Sequence, residues 1–379
     1  LIEKDAVYDF GSRDDGTPVT VSVHHPRAYR ATFFGGTVGS AEAYMDGLWS
    51  CDDLPALIRA FAVSPDAHQG LEGGLATLTR PVRALYRLSR RNTLRGSRRN
   101  IAVHYDLGND FYRLFLDPTL AYSCAIFQHP KASLREASEA KFDRICAKLD
   151  LSPSDHVVEI GTGWGGFAIH AAGRHGCRVT TTTISRAQYE FSRERVRQAG
   201  LSDKVEVLME DYRELRGVYD KLVSIEMIEA VGDRYLDRFF AKCAALLRPD
   251  GQMLLQSITI ADQHYERHRK EVDFVKRYIF PGASLPSVTA LLASATRASD
   301  LRLFDLHDIS RHYTLTLQRW RAAFRTNLEA VRRLGFSEKF IRMWDFYLGY
   351  CEGGFAERYL GDVQMVLVKP DWRPTPAPC

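Results

Sequence analysis

At 379 residues the chain exceeds one average domain, and 45% hydrophobic with 26% charged residues is an ordinary globular composition, so two cores are expected and general disorder is excluded. No run approaches the ~20 apolar residues of a membrane span, and Leu1 to Gly16 lacks the basic start and apolar stretch of a signal peptide, which points to a cytoplasmic protein, free or peripheral on the inner membrane face. The net charge is only +4, and the seven cysteines (51, 124, 146, 177, 243, 351 and 379) form no CxxC pair, which speaks against a structural zinc or a disulfide framework.

Residues 1–78 read as a small α+β domain. Phe33 to Gly36 and the run Ala41 to Trp49 precede Leu54, Leu57, Ile58 and Phe61, whose spacing predicts a helix, and the clustered glycines of 70–74 open a hinge. Residues 79–99 form a basic linker with eight arginines (80, 83, 87, 90, 91, 95, 98 and 99) and no acid. Such a run is either a solvated connector or a surface for an anionic partner. Nucleic acid fits poorly, because Tyr86 is the only aromatic there and no nucleic-acid motif is present. An anionic membrane surface fits better, with Leu85, Leu88 and Leu94 able to sit among head groups.

From 100 to 369 short apolar runs alternate with helical patterns. Strands are predicted at Val157 to Ile160, Arg178 to Thr182, Val205 to Leu208, Lys221 to Ile225, and Gln252 to Ile260 after the Pro249-Asp250-Gly251 turn. Leu134, Ala137, Phe142, Ile145 and Leu149 mark one of the helices between them. This alternation predicts a parallel α/β sheet with helices on both faces and a ligand at the carboxyl ends of the strands. Val363 to Val368 reads as an edge strand, and residues 370–379, with four prolines, as a disordered tail.

The sharpest local signal is Glu159-Ile160-Gly161-Thr162-Gly163-Trp164-Gly165-Gly166, between a strand and a helix that starts near Phe167. Glycines there let the backbone turn tightly and approach a ligand. Gly161, Gly163 and Gly166 also fit a dinucleotide fingerprint, but that site wants an acid about 20 residues on, and Thr180 to Thr183 ends the second strand without one. Glu159 stands just before the first glycine, where a carboxylate can hold the ammonium end of a methionine-type ligand. The loop resembles the first motif of class I S-adenosylmethionine-dependent methyltransferases, and Asp211 and Tyr212 after the third strand are placed like the adenine-contacting pair of those enzymes.

Asn100 to Tyr112 followed by Tyr122-Ser123-Cys124-Ala125 resembles the opening of the catalytic domain in the cyclopropane fatty acid synthase and mycolic acid cyclopropane synthase family. Thr183 to Gln188 is similar to its second cofactor segment, and Tyr278 to Gly282 with Pro286-Ser287 to its late signature, so the resemblance runs from about Phe33 to Lys369. It implies a Rossmann-like class I methyltransferase sheet. It also implies S-adenosylmethionine held by Tyr122, Ser123, Glu159, Gly161, Gly163, Gly165, Thr183, Gln188, Asp211 and Tyr212. The region before Thr79 resembles the amino-terminal domain of the phospholipid-acting members, which implies a membrane phospholipid with an unsaturated acyl chain as substrate; a homodimer is left open.

The family resemblance further implies a bicarbonate ion held by Cys124, Glu229, Tyr313, the amide of Ile258 and a histidine, with Tyr278 in the catalytic set. The histidine position falls on Gln256, and Ala230 follows the glutamate where histidine is common. A glutamine can donate to an anion but cannot carry a proton near neutral pH.

An alkene has no proton to lose before attacking a sulfonium methyl, so the site must align the reactants and then tolerate a carbocation. Tyr122, Phe274, Tyr278, Phe280 and Tyr347 are candidates for aromatic faces toward it, Tyr278 and Phe280 first. The implied activity is cyclopropane formation on the acyl chain through a cation deprotonated by bicarbonate. The alternatives are a methyl- or methylene-branched product, a small-amine N-methyltransferase, or a silent lipid-binding protein.

Overall fold

A computed structural model of the chain describes residues 1–3, 6–10, 18–62, 90, 92–93, 96–97, 100 and 107–374. The glycine hinge at 70–74 and most of the basic linker lie outside these residues. β1 (Ile2–Glu3), β2 (Ala6–Val7), β3 (Val21–Val23) and β4 (Trp49–Cys51) form a small sheet in the order β2-β1-β3-β4. α1 (Arg27–Met45) bends at Gly36, whose φ of 60° lies outside the helical range, and α2 (Leu54–Ala62) follows β4.

The large sheet has seven strands in the order β10-β11-β9-β8-β5-β6-β7. β5 (His156–Ile160), β6 (Arg178–Thr182), β7 (Val205–Leu208), β8 (Tyr219–Ile225) and β9 (Leu247–Ile260) cover the five expected strands and run parallel. The expectation for Val363 to Val368 needs correction. β11 (Leu360–Val368) lies inside the sheet, antiparallel to both β9 and β10 (Arg302–Asp308), and β10 is the edge. β10 was missed because neither of its faces is buried: Leu303, Phe304 and Leu306 are all exposed, so no inside-outside alternation marks it.

Helix boundaries follow local chemistry. α3 (Leu134–Lys148) opens on a capping box in which Ser133 and Glu136 satisfy each other's backbone amides. Ser185, Ser287 and Ser337 cap α5 (Arg186–Gln198), α7 (Val288–Ala298) and α9 (Glu338–Ala356). Between α3 and α7 lie α4 (Gly166–His175), closed by left-handed Gly176, and α6 (Leu236–Leu246); α8 (Ser310–Thr326) precedes α9.

Among the described residues the amino-terminal module does not carry a separate core. Tyr44, Trp49 and Leu54 share one apolar cluster with Phe111, Trp320, Trp344 and Phe346. α2 approaches α9 so closely at Gly353 that a Cβ there would lie 2.8 Å from Ile58. Asp345, buried at this junction, accepts from Arg321 Nε at 2.9 Å, Arg325 Nε at 2.7 Å and the Tyr44 hydroxyl at 3.2 Å. At the far end, residues 370–374 are not a free tail: the Trp372 ring packs 4.6 Å from that of Phe304.

Candidate active site

β5 is flanked by β6 on one side and β8 on the other, so its carboxyl end is the switch point at which an open α/β sheet leaves a crevice. The glycine loop occupies that place. A cavity of about 330 Å³ begins there, lined by Glu159, Gly161, Gly163, Thr183, Gln188, Asp211 and Tyr212 together with Tyr122 and Ser123. It continues past Glu226, Glu229 and Tyr313 to an apolar region bounded by Leu285, Leu317, Tyr347, Cys351, Phe355 and Leu360.

At the ligand end, Gly161 and Gly163 have φ of 103° and 52°, and a Cβ on Gly163 would meet no protein atom within 4 Å, so the loop is open on the side a ligand would fill. Gly165 differs from the expectation. It is set back from the cavity wall, and a Cβ there would lie 3.2 Å from Ser192 of α5; it serves helix-loop packing. Glu159 is buried, accepts from the Thr181 hydroxyl at 2.6 Å, and burial pushes its carboxyl up to about 8. Asp211 is held by Arg213 through Nη2 at 2.6 Å and Nε at 2.8 Å, while Arg213 also donates to the Asn92 carbonyl at 3.1 Å. Asn92 and Ser97 from the basic stretch, and Asn100 just after it, are buried on the cavity wall.

The expected ion cradle is brought together, but around a protein carboxylate. The backbone N–H of Cys124 donates to Glu226 Oε1 at 2.7 Å, Gln256 Nε2 to the same oxygen at 2.8 Å, and the Tyr313 hydroxyl to Glu226 Oε2 at 2.7 Å. The second proton of Gln256 Nε2 goes to Asp362 Oδ2 at 3.0 Å, and the Ile258 N–H goes to Glu229 Oε1 at 2.5 Å. The backbone amides of Cys124 and Ile258, the Gln256 side-chain amide and the Tyr313 hydroxyl are thereby each given to a carboxylate of the chain. Glu229 Oε2 and Asp362 Oδ1 have no partner among the described residues, so the neighbourhood is crowded with carboxyl groups and has no donor left over for a further anion. These residues do not fit a bound bicarbonate as they stand.

Burial raises the carboxyls of Glu226, Glu229 and Asp362, Glu229 to about 8, and the charge of Glu226 pushes Glu229 and Asp362 up further. Lys141 offsets this charge; it is fully buried on α3, donates to Ser123 Oγ at 2.5 Å, and burial lowers its own ammonium. Burial likewise lifts the Cys124 thiol well above its usual range, so it is a neutral S–H facing the Ala125 carbonyl at 3.3 Å and no nucleophile.

Of the expected aromatic faces, Tyr122, Phe280 and Tyr347 line the cavity, with the Tyr122 and Tyr347 hydroxyls 2.9 Å apart. Tyr278 is a correction: its hydroxyl turns away to Glu42 of α1 at 2.5 Å, in a π-helical turn at Val275–Ile279. Phe274 is core, packed on Phe346. Glu226, Asp362 and Lys141 escaped the sequence reading. A second acid three residues before Glu229 and an acid inside the apolar run 360–368 were the available signals.

A family model described as mycolic acid cyclopropane synthetase matches residues 92–365. The chain is 38% identical over 368 residues to the tuberculostearic acid methyltransferase of Mycobacterium tuberculosis, spanning 95% of this chain and 85% of that one. It is 34% identical over 352 residues to the cyclopropane-fatty-acyl-phospholipid synthase of Escherichia coli, spanning 92% and 86%. Among solved structures, a mycolic acid cyclopropane synthase in complex with SAH and CTAB superimposes with a TM-score of 0.67 at 31% identity, covering 72% of this chain and 98% of that one.

Proposed function

Because the chain belongs to the mycolic acid cyclopropane synthetase family, we propose that it transfers the methyl group of S-adenosylmethionine to a cis double bond in the acyl chain of a membrane phospholipid. It is a lipid methyltransferase that uses S-adenosylmethionine. The observation that carries the finer reading is the single cavity that joins the glycine loop to an aromatic and aliphatic region. A small amine would need no such apolar extension, whereas a hydrocarbon chain is matched by it.

S-adenosylmethionine supplies the methyl on a sulfonium. Gly161, Gly163 and Glu159 would hold its methionine end and Asp211 and Tyr212 its adenine, while Tyr122, Phe280 and Tyr347 line the cavity beside them. The π electrons of the alkene form the new C–C bond, the C–S bond breaks toward sulfur, and a cation is left on the neighbouring carbon. Aromatic faces lower its energy, and the apolar walls limit the water that could quench it. A base then removes a proton from the new methyl. Direct loss closes the cyclopropane ring; if a hydride shifts first, the same loss leaves a methylene branch. The ring is the product the family resemblance implies. The branch is a second reading, favoured by Gln256 and Glu226 standing where the resemblance implies a histidine and an ion.

The enzyme is proposed to work from the cytoplasmic face. No helix among the described residues is long and apolar enough to cross a membrane, and contact falls to exposed aromatics on α1 and to the basic stretch. Lipid mass spectrometry of cells expressing the chain should show acyl chains heavier by one CH2, with fragmentation separating ring from branch. Unchanged acyl chains alongside methylation of small amines by the purified protein would overturn the proposal.

A further inference from the structure

We infer that the carboxylate of Glu226 is the proton acceptor of this reaction, built into the chain at the position where the family resemblance assigns a bicarbonate ion. The inference rests on the lipid methyl-transfer reading and names the base it requires.

Three independent features converge on this residue. The first is connectivity: the Cys124 N–H, the Gln256 amide and the Tyr313 hydroxyl all point at Glu226, at 2.7 to 2.8 Å. Such a set orients a planar anion and leaves it unable to rotate away. The second is backbone conformation. Glu226 has φ of 47°, in the left-handed region that glycine favours, and it is one of four described non-glycine residues with positive φ. A glutamate held there at the end of a strand is strained, and strain of this kind is retained where the surrounding structure needs that side chain in that place. The third is register. Ile225 of β8 pairs with Gln256 of β9, and the Glu226 N–H donates to the Gln256 carbonyl at 2.9 Å, so the strand end itself delivers the carboxylate to the wall between the glycine loop and the apolar region.

The chemistry balances without a further reactant. A C–H bond of the transferred methyl breaks, its electron pair forms the ring C–C bond or the C=C bond of a methylene, and the proton moves to Glu226, which becomes a neutral carboxylic acid. The buried Lys141 ammonium compensates the negative charge before the step. Hydrogen bonds from three donors also reduce the tendency of the carboxylate to add to the cation instead of deprotonating it. Gln256 follows from the same arrangement: a histidine could carry the proton away from an exchangeable ion, whereas a fixed carboxylate needs only a donor that holds it in place.

The test uses the full-length chain, S-adenosylmethionine and vesicles of a phospholipid with cis-unsaturated acyl chains, in buffer stripped of carbon dioxide. Wild type should work at full rate and change by less than about twofold when bicarbonate is added. Glu226→Gln should lower turnover by roughly 100-fold or more, the usual scale for losing a general base, with S-adenosylmethionine affinity unchanged. Glu226→Gly, which suits the positive φ, should be slow alone and regain activity with added bicarbonate or formate. A merely structural role would be filled by the glutamine and would not answer to small anions. Several-fold stimulation of wild type by bicarbonate, or a Glu226→Gln rate within about threefold of wild type, overturns the inference while leaving the methyl transfer standing. Wild type that adds no carbon to the lipid overturns the methyl-transfer reading instead.

Discussion

Replacing Gly163 separates the cost of a loop conformation from the cost of filling a ligand's space. Gly163 has φ of 52° and a Cβ there meets nothing within 4 Å, so no protein atom must move to accept a side chain. The penalty to folding is therefore that of an L-residue in the left-handed region, about 1–2 kcal/mol, and toward the low end for aspartate, whose short polar group tolerates it. That corresponds to a fall in melting temperature of about 2–4 °C per kcal/mol. Binding suffers more. Gly163→Asp puts a carboxylate into the cavity where the backbone must approach the ligand, on a wall that already carries Glu159 and Asp211. A loss of more than about 100-fold in S-adenosylmethionine affinity is expected, or about 2.8 kcal/mol. The control is Gly165→Ala, where φ is 81° and the new Cβ would lie 3.2 Å from Ser192 Cβ, away from the cavity wall. It should lose at least as much stability with little change in affinity. Calorimetric titration of both folded variants decides the matter. Near-normal binding by Gly163→Asp, or equal binding losses in both, would refute the reasoning.

Asp345→Ala would leave the buried guanidinium of Arg321 and that of Arg325 without their shared carboxylate, so unfolding in urea should show a loss of about 3–5 kcal/mol; an unchanged midpoint would refute it. Burial raises Glu159 from its ordinary 4.5 to about 8, so its contribution to folding is full below 4.5 and is lost as pH rises through about 8. The melting temperature of ligand-free enzyme should decline across that window, less steeply in Glu159→Gln; parallel curves would sink the assignment. Phe33 and Phe34 on α1 are 61% and 46% exposed, with Arg30 beside Phe34, and Phe33→Ser with Phe34→Ser should weaken sedimentation with anionic vesicles. Full burial of each ring would contribute about 1.5–3 kcal/mol, so equal sedimentation of the double variant would remove α1 from the membrane contact.

What the sequence by itself determined were features written in neighbouring residues. The five parallel strands and the glycine loop depend on periodicities and turn chemistry within a few positions, and each is found where the residues put it. Cys124, Glu229 and Tyr313 were found through strings characteristic of a family; Glu229 and Tyr313 line the cavity, while Cys124 is buried behind it and meets Tyr313 only through Glu226. What those residues hold was decided only by tertiary structure. The cradle is filled by Glu226 because a left-handed backbone at the end of β8 turns that side chain inward. Asp362 joins it because antiparallel β11 pairs with β9 in a register that sets Asp362 opposite Ile258 and Gln364 opposite Gln256. Tyr278 left the site for Glu42, and Trp49 and Leu54 joined the core of α9, by contacts between segments far apart in the chain. A residue's neighbours across such distances depend on the register and packing of whole elements, so the same local string can hold an ion or a side chain of its own.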